Sequence, residues 1–296
     1  MIKEEDWRDR FGPPPAEKRR KKRRRKKRLR RLLTTLVLLA LLVLWFFWQQ
    51  NGLSTETLTA ESAPDGFAGY RIALISDLHG KEFGPDNQRL LHFVEGLRPD
   101  LIAITGDLIH EASQLAMVPA VAEGLAAIAP TYYVTGNHEW AAGVVQELVL
   151  LLENHGVRVL SNEYVMLSRN GTTLALMGAE DSNGFADQMT IEELADKVRA
   201  EQGDVYQLLL SHRNNRFETY AAAQVDLTLA GHAHGGTIRL PGTDGLIGPT
   251  REFLPDYTAG LYDLSYGQMA VSRGLGDQFP AFRLFNRPDV PLIVLE

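Results

Sequence analysis

Along the body of the chain, short apolar runs alternate with segments of helical periodicity. YRIALIS (70–76), LIAIT (101–105) and TYYVT (131–135) are compact runs rich in β-branched and aromatic residues, the pattern of buried strands. Between them, DNQRLLHFVEGL (86–97) and SQLAMVPAVAEGLAAI (113–128) carry apolar residues at helical spacing. The order βαβαβ predicts a mostly parallel sheet with crossover helices. VMLSRNGTTLALMG (165–178) predicts a hairpin turning at Asn170-Gly171. TIEELADKVRAE (190–201) opens with Thr190 and Glu193 at capping-box spacing and predicts a helix. YQLLLS (206–211) and DLTLA (226–230) predict further strands, and the Gly- and Pro-rich tail from Thr237 predicts β structure. A layered α/β domain over residues 70–296 accommodates all of this.

The N-terminal pattern is different. LLTTLVLLALLVLWFFW (32–48) has no charged residue, and its seventeen positions lie near the short end of a membrane span. Trp45, Phe46, Phe47 and Trp48 close it where an aromatic belt would sit. A cleaved signal peptide would end in small residues, so an uncleaved transmembrane anchor is expected. The following stretch, QQNGLSTETLTAESAPDGFA, is polar and rich in Ser, Thr and Ala; residues 49–69 are expected to form a linker.

Charge sharpens the division. The net charge of −6 hides 16 basic and 5 acidic side chains within residues 1–31, against 15 basic and 32 acidic in the remainder. The polybasic segment beside an apolar span predicts a cytoplasmic N-terminus, contact of residues 18–31 with anionic membrane lipids, and a single-pass protein of the cell membrane with its body on the outer side. An acidic body argues against nucleic acid as a partner. The absence of cysteine excludes thiolate metal sites and cysteine nucleophiles, leaving His, Asp, Glu and Asn as metal donors.

Polar residues of chemical interest stand where the predicted strands end. Asp77-Leu78-His79 follows the first run, Gly106-Asp107 the second, and Gly136-Asn137-His138-Glu139 the third. His212 closes YQLLLS, and Gly231-His232-Ala233-His234-Gly235 closes DLTLA. Ligands of open parallel sheets bind beyond the carboxyl ends of the strands, so these clusters should converge. Asp77, His79, Asp107, Asn137, His212, His232 and His234 make seven candidate ligands, too many for one ion. Two divalent ions sharing a carboxylate would use them, with Mn, Zn, Fe and Co all compatible with O and N donors. Two ions ~3.5–4 Å apart can clamp a phosphoryl group for in-line displacement. His92 and His155 read as helix-surface residues, and His110 is ambiguous because it follows Gly106-Asp107 so closely.

The set DLH, GD, GNHE, SHRNN and GHAH resembles the calcineurin-like metallophosphoesterase family over about residues 70–296. The resemblance implies a four-layer αββα sandwich preceded by one transmembrane helix. It implies a first metal held by Asp77, His79, Asp107 and His234, and a second by Asp107, Asn137, His212 and His232, with Asp107 bridging. His138 would sit beside the phosphate and protonate the leaving oxygen or stabilise charge. The tail VSRGLGDQFPAFRLFNRPDV (271–290) is similar to a bacterial membrane-anchored branch that includes phosphodiesterases and UDP-2,3-diacylglucosamine pyrophosphatase-like hydrolases. Two departures stand out. His110 occupies a position where many relatives carry Asp, and Asn214-Asn215 follow His212 where Pro or an acidic residue is common.

The expected activity is metal-dependent phosphoesterase chemistry on a phosphodiester or pyrophosphate, the anchor favouring a lipid-linked or nucleotide-linked substrate such as a UDP-diacylglucosamine-like lipid. The competing expectations are a non-catalytic membrane scaffold, which should have lost ligands, and a nuclease or protein phosphatase of the same fold. Further substrate residues are sought in GAEDSNG (178–184) and at Arg273 and Arg283, although an arginine in a β-rich tail serves equally well as a structural ion-pair partner.

Overall fold

The computed structural model describes residues 4–12, 15–240, 242–248, 252–276 and 282–296, in two compact units, Met1–Trp48 and Gln49–Glu296. The first unit is helical. Helix α1 (Glu4–Phe11) precedes α2 (Pro15–Asn51), which runs through the polybasic and apolar segments and continues three residues into the second unit. Lys18–Asn51 is long and apolar enough to cross a membrane, and it exposes Leu36, Leu38, Leu42 and Leu44 along its surface.

The second unit contains two six-stranded sheets. The first has the order β1 (Thr57–Ala60), β12 (Leu292–Leu295), β2 (Arg71–Ile75), β3 (Leu101–Thr105), β4 (Thr131–Val134), β5 (Val157–Val159). The second has the order β10 (Gly260–Asp263), β11 (Gln268–Val271), β9 (Leu227–Gly231), β8 (Tyr206–Arg213), β7 (Thr172–Gly178), β6 (Glu163–Arg169). β2, β3, β4 and β5 are parallel to one another, as are β7, β8, β9 and β11.

The central strands are apolar at nearly every position because both faces are covered. Leu74 and Ala103 turn inward to meet Leu176, Leu210 and Leu229 of the opposite sheet. Ala73, Ile75, Ile102 and Ile104 turn outward under Leu90 and Val94 of α3 (Gln88–Gly96), Val121 and Leu125 of α4 (Val118–Ile128), and Leu148 and Leu152 of α6 (Val145–Asn154), α5 (Asn137–Ala142) being the short helix before it. Leu209 and Ala230 turn outward under Leu194 and Val198 of α7 (Ile191–Gln202) and Tyr220 of α8 (Phe217–Ala222). The four-layer αββα sandwich is therefore present. The hairpin turns at Asn170-Gly171, both at positive φ (50° and 79°), as a two-residue turn of right-twisted strands requires.

The linker expectation for residues 49–69 needs correction. Thr57–Ala60 is an edge strand paired in parallel with the C-terminal strand, and Phe67 is buried. Thr57 and Thr59 face outward while Leu58 and Ala60 enter the core, so a four-residue alternation lay hidden in a polar composition.

Candidate metal centre

Each chemical cluster sits just past, or at the end of, a central strand, and the two sheets bring those ends together. Five of the residues concerned take the left-handed backbone conformation: Asp77 (φ 51°), His79 (49°), Asp107 (51°), His232 (65°) and His234 (48°). Non-glycine residues adopt it at a cost of ~1–3 kcal/mol each, and such strain collects where a fold must aim side chains at a common point.

Asp107 occupies the middle. Its carboxylate is fully buried, and its Oδ2 lies 3.2 Å from His212 Nε2, 3.8 Å from His79 Nε2 and 3.9 Å from His138 Nε2. On one side, His234 Nε2 stands 3.5 Å from Asp77 Oδ1 and 3.1 Å from His79 Nε2. On the other, His212 Nε2 is 3.0 Å from Asn137 Oδ1 and 3.1 Å from His232 Nδ1. The structure thus brings together all seven residues that the sequence singles out as candidate ligands.

Backbone groups fix the directions of these donors. The His232 N–H donates to both oxygens of Asp77, and the His138 N–H donates to Asp107 Oδ1 at 2.9 Å. His212 Nδ1 donates to the Thr105 carbonyl at 2.8 Å, which turns Nε2 toward Asp107. The Oδ2 of Asp107, Nδ1 of His79 and Nε2 of His232 are buried without a hydrogen-bond partner. Ring nitrogens facing each other across 3.1 Å beside a carboxylate oxygen that accepts no hydrogen bond are poor neighbours in a protein-only core, and a good set of lone pairs for a cation. The donor atoms of Asp77, His79 and His234 lie within 4.8 Å of one another, as do those of Asp107, His212 and His232.

Electrostatics follow from this crowding. Burial and the neighbouring His234 hold His79 well below the ordinary histidine value. Burial pulls His234 down, and burial together with His212 takes His232 down to about 2. For His212 burial acts downward too, but the adjacent Asp107 carboxylate overcomes it and pushes the ring up to about 10. Asp107, despite burial, is held well below the usual carboxylate range by His212.

His138 is half-buried at the mouth of the centre, lowered in pKa by burial, and its ring packs 4.5 Å from that of the exposed His110. The ambiguity over His110 is resolved in position: a ring nitrogen of His110 lies within 4.8 Å of those of His79 and His138. His92 pairs with Glu95 on a helix surface, and His155 Nδ1 meets the Leu151 carbonyl at the end of α6, away from the centre.

Sequence reasoning passed over Glu139. Its buried carboxylate accepts from the N–H groups of Leu108 (2.6 Å), Gly136 (2.8 Å), Asp107 (3.1 Å) and Ile109 (3.3 Å), tying the Asp107 loop to the Asn137 loop. Burial and the Asp107 charge raise it to about 7. Several of the residues sought as substrate contacts make bonds within the chain. Glu180 accepts from Thr135 and from Trp140 Nε1 (3.3 Å), and Asp181 takes a two-pronged ion pair from Arg213 at 2.7 and 2.9 Å. Arg273 pairs with Asp289 at 2.9 Å, and buried Arg283 donates to the carbonyls of Arg273, Gly276 and Asn286. Asn214, in the loop where the motif departs, is buried and donates to the Tyr257 carbonyl.

Two sheets whose strand ends gather carboxylates and imidazoles into a shared O/N centre define a metal-dependent phosphoesterase. The calcineurin-like phosphoesterase profile matches residues 70–236, and the chain belongs to that family. An uncharacterized metallophosphoesterase of Aquifex aeolicus is 29% identical over 253 residues, 81% of this chain and 90% of the relative. Phosphodiesterase YaeI of Escherichia coli is 27% identical over 237 residues, 78% of this chain and 84% of its own. A Danio rerio protein named as a transmembrane protein with metallophosphoesterase domain is 28% identical over 256 residues, 81% of this chain and 56% of its own. The chain is a hydrolase of phosphoesters that depends on divalent metal.

Proposed function

We propose that this protein is a membrane-anchored phosphodiester or pyrophosphate hydrolase with two metal ions, acting on a lipid-linked or nucleotide-linked substrate. The observation that carries the reading is the crowding of donors around the buried Asp107 carboxylate, whose Oδ2 has ring nitrogens of His212, His79 and His138 at 3.2, 3.8 and 3.9 Å, with Asp77, His79 and His234 grouped beside Asp107, His212 and His232. Asp77, His79, Asp107 and His234 would hold one ion, and Asp107, Asn137, His212 and His232 the other. Bound there, two divalent cations supply Lewis-acid charge stabilisation at the phosphorus and a nucleophile at neutral pH. Mn, Zn, Fe and Co all suit these donors.

The chain's own residues do the rest. The N–H groups of His232 and His138 orient the two carboxylates, and the Thr105 carbonyl orients His212. His138, half-open to solvent with its Nε2 3.9 Å from Asp107 Oδ2, would protonate the departing oxygen or stabilise charge on the phosphoryl group. The N-terminal segment would lie in the cytoplasm and touch anionic lipid through residues 18–31, with α2 crossing the cell membrane and the hydrolase outside.

The test uses the full chain in detergent, stripped with chelator and reloaded with Mn²⁺, on bis(p-nitrophenyl) phosphate and on p-nitrophenyl phosphate. Cleavage of the diester that returns with metal and is absent in Asp107→Asn supports the reading. Full metal content and full rate in Asp107→Asn would overturn it. Turnover of a vesicle-borne diester against the soluble one tests the lipid assignment, equal rates counting against it.

A further inference from the structure

Among the described residues of the second unit, large exposed apolar side chains are concentrated in one place. Leu240 (48% exposed), Ile247 (38%), Phe253 (75%), Leu254 (59%), Phe282 (48%) and Phe285 (43%) belong to four short stretches that run side by side. The Arg239 N–H donates to the Leu284 carbonyl at 3.0 Å, the Leu246 N–H to Ile238 at 2.8 Å, and the Leu254 N–H to Leu246 at 3.0 Å. Ile238 bridges Leu284 and Ile247 bridges Phe253, so the segments form a short ribbon. Among the described residues of this unit, the other exposed large apolar ones are Leu150, Phe185 and Tyr266, single side chains of the kind any surface carries.

The ribbon has two attachments. Asn286 Nδ2 donates to the carbonyls of His234 (2.7 Å) and Thr237 (3.1 Å), fastening it to the metal centre. Gln50 fastens it to the end of α2: its Nε2 donates to the Arg283 carbonyl at 2.7 Å, and its Oε1 accepts the Arg283 N–H at 2.9 Å. The last carbonyls of the helix are capped from the same domain, Gln50 O by Lys81 Nζ at 2.6 Å and Asn51 O by Arg89 Nη2 at 3.1 Å. Lys81 is two residues beyond His79. The point where the chain leaves its apolar helix is thus bonded beside the His79 loop and to the stretch that Asn286 fastens to the His234 loop.

A contiguous exposed apolar patch marks an interaction surface. Its continuity with the end of a helix able to cross a membrane selects the partner. We propose that this ribbon is a membrane-docking surface, its Leu, Ile and Phe side chains seated at the headgroup–acyl boundary, so that the centre takes phosphodiesters of lipids in the adjoining leaflet. This rests on the anchored-hydrolase reading above. The docking is apolar: among the described residues of the ribbon, Arg239 pairs with the exposed Asp244 at 3.4 Å and Arg283 is buried. Burial of apolar surface is little affected by salt, unlike attraction to charged headgroups.

The chain contains no cysteine, so single cysteines report cleanly. Full-length protein in phosphatidylcholine vesicles would carry an environment-sensitive fluorophore on Leu240→Cys, Phe253→Cys or Leu254→Cys, with Leu150→Cys as reference. Blue-shifted emission, quenching by doxyl groups on lipid chains and protection from iodide at the ribbon positions, at low and high salt alike, are expected. Ribbon labels as open to iodide as the Leu150 label would overturn the proposal. In Phe253→Glu/Leu254→Glu, turnover of a vesicle-borne diester should fall about tenfold or more, equivalent to ~1.4 kcal/mol, with bis(p-nitrophenyl) phosphate turnover unchanged. Equal losses on both substrates would make the ribbon a brace for the His234 loop, not a docking surface. A chain that cleaved neither diester would sink the hydrolase reading, while the labels would still decide the docking.

Discussion

Oδ2 of Asp107 and Nε2 of His212 lie 3.2 Å apart with both side chains excluded from solvent. Without metal they form a carboxylate–imidazolium pair: burial opposes the charge on the ring, but Asp107 pushes His212 up to about 10. That pair contributes stability in full below the ordinary histidine value of about 6.5, and the contribution is lost as pH rises through about 10. A cation bound by His212 takes the Nε2 lone pair, so the proton must leave. His79, His232 and His234 are already neutral, their values lowered by burial. Metal loading at a pH between the Glu139 value of about 7 and the His212 value of about 10 should therefore release about one proton per chain. Calorimetry in buffers of different ionisation enthalpy reads this directly. A metal-binding His212→Gln chain that released as much would remove His212 from the centre.

Glu139 ties two loops through four backbone N–H groups, so its replacement should loosen both. In Glu139→Gln the amide turns an NH₂ toward donors that need an acceptor. The expected loss is about 2–4 kcal/mol of stability with weaker metal retention, since hydrogen bonds to charged groups are worth ~1.5–3 kcal/mol each. Denaturant unfolding of the metal-free chain and metal content after dialysis measure the two effects. Unchanged stability would mean that Asp107 and Asn137 are held from elsewhere.

His138 is accessible where Asp77, Asp107 and His212 are not. On the proposed role, in which His138 touches substrate without holding metal, His138→Ala should lower kcat for a diester by about 10²–10⁴ and leave metal content unchanged. A diester with a better leaving group should lose less, because protonation of the departing oxygen then matters less. Loss of metal in parallel with rate would make His138 a ligand.

The convergence of these side chains was legible because each candidate-ligand cluster follows an apolar run, and the topology carries such positions to one end of the sheets. Asp77, His79, Asp107, Asn137, His212, His232 and His234 needed only residue type and place. The supports were harder to see. Glu139 stands beside Asn137 and His138, yet nothing in its spacing says that its carboxylate points back at backbone N–H groups 30 and more residues upstream. The left-handed conformations of Asp77, His79 and Asp107 have no composition signal at all, since non-glycine residues disguise them. Strand β1 was invisible for the opposite reason: threonines that face solvent on an edge strand look like linker.

Gly106 offers the sharpest separation of strain from crowding. Its φ is +80°, and a Cβ there would lie 2.5 Å from Gly136 N and 2.6 Å from Gly136 Cα. Those atoms are backbone of the loop that leads into Asn137, so they cannot swing aside as a side chain would. Gly106→Ala should therefore part the Asp107 loop from the Asn137 loop. Gly171, in the hairpin turn, has nearly the same φ (+79°) with nothing within 4 Å of the added Cβ. Gly171→Ala should cost only the conformational penalty, about 1 kcal/mol. Gly106→Ala adds overpacking of ~1–3 kcal/mol and should also lower metal affinity and diester turnover. Unfolding midpoints and metal titrations on the two variants compare like with like. If both lost the same stability and neither lost metal, the close approach of Gly106 to Gly136 would have no part in building the centre.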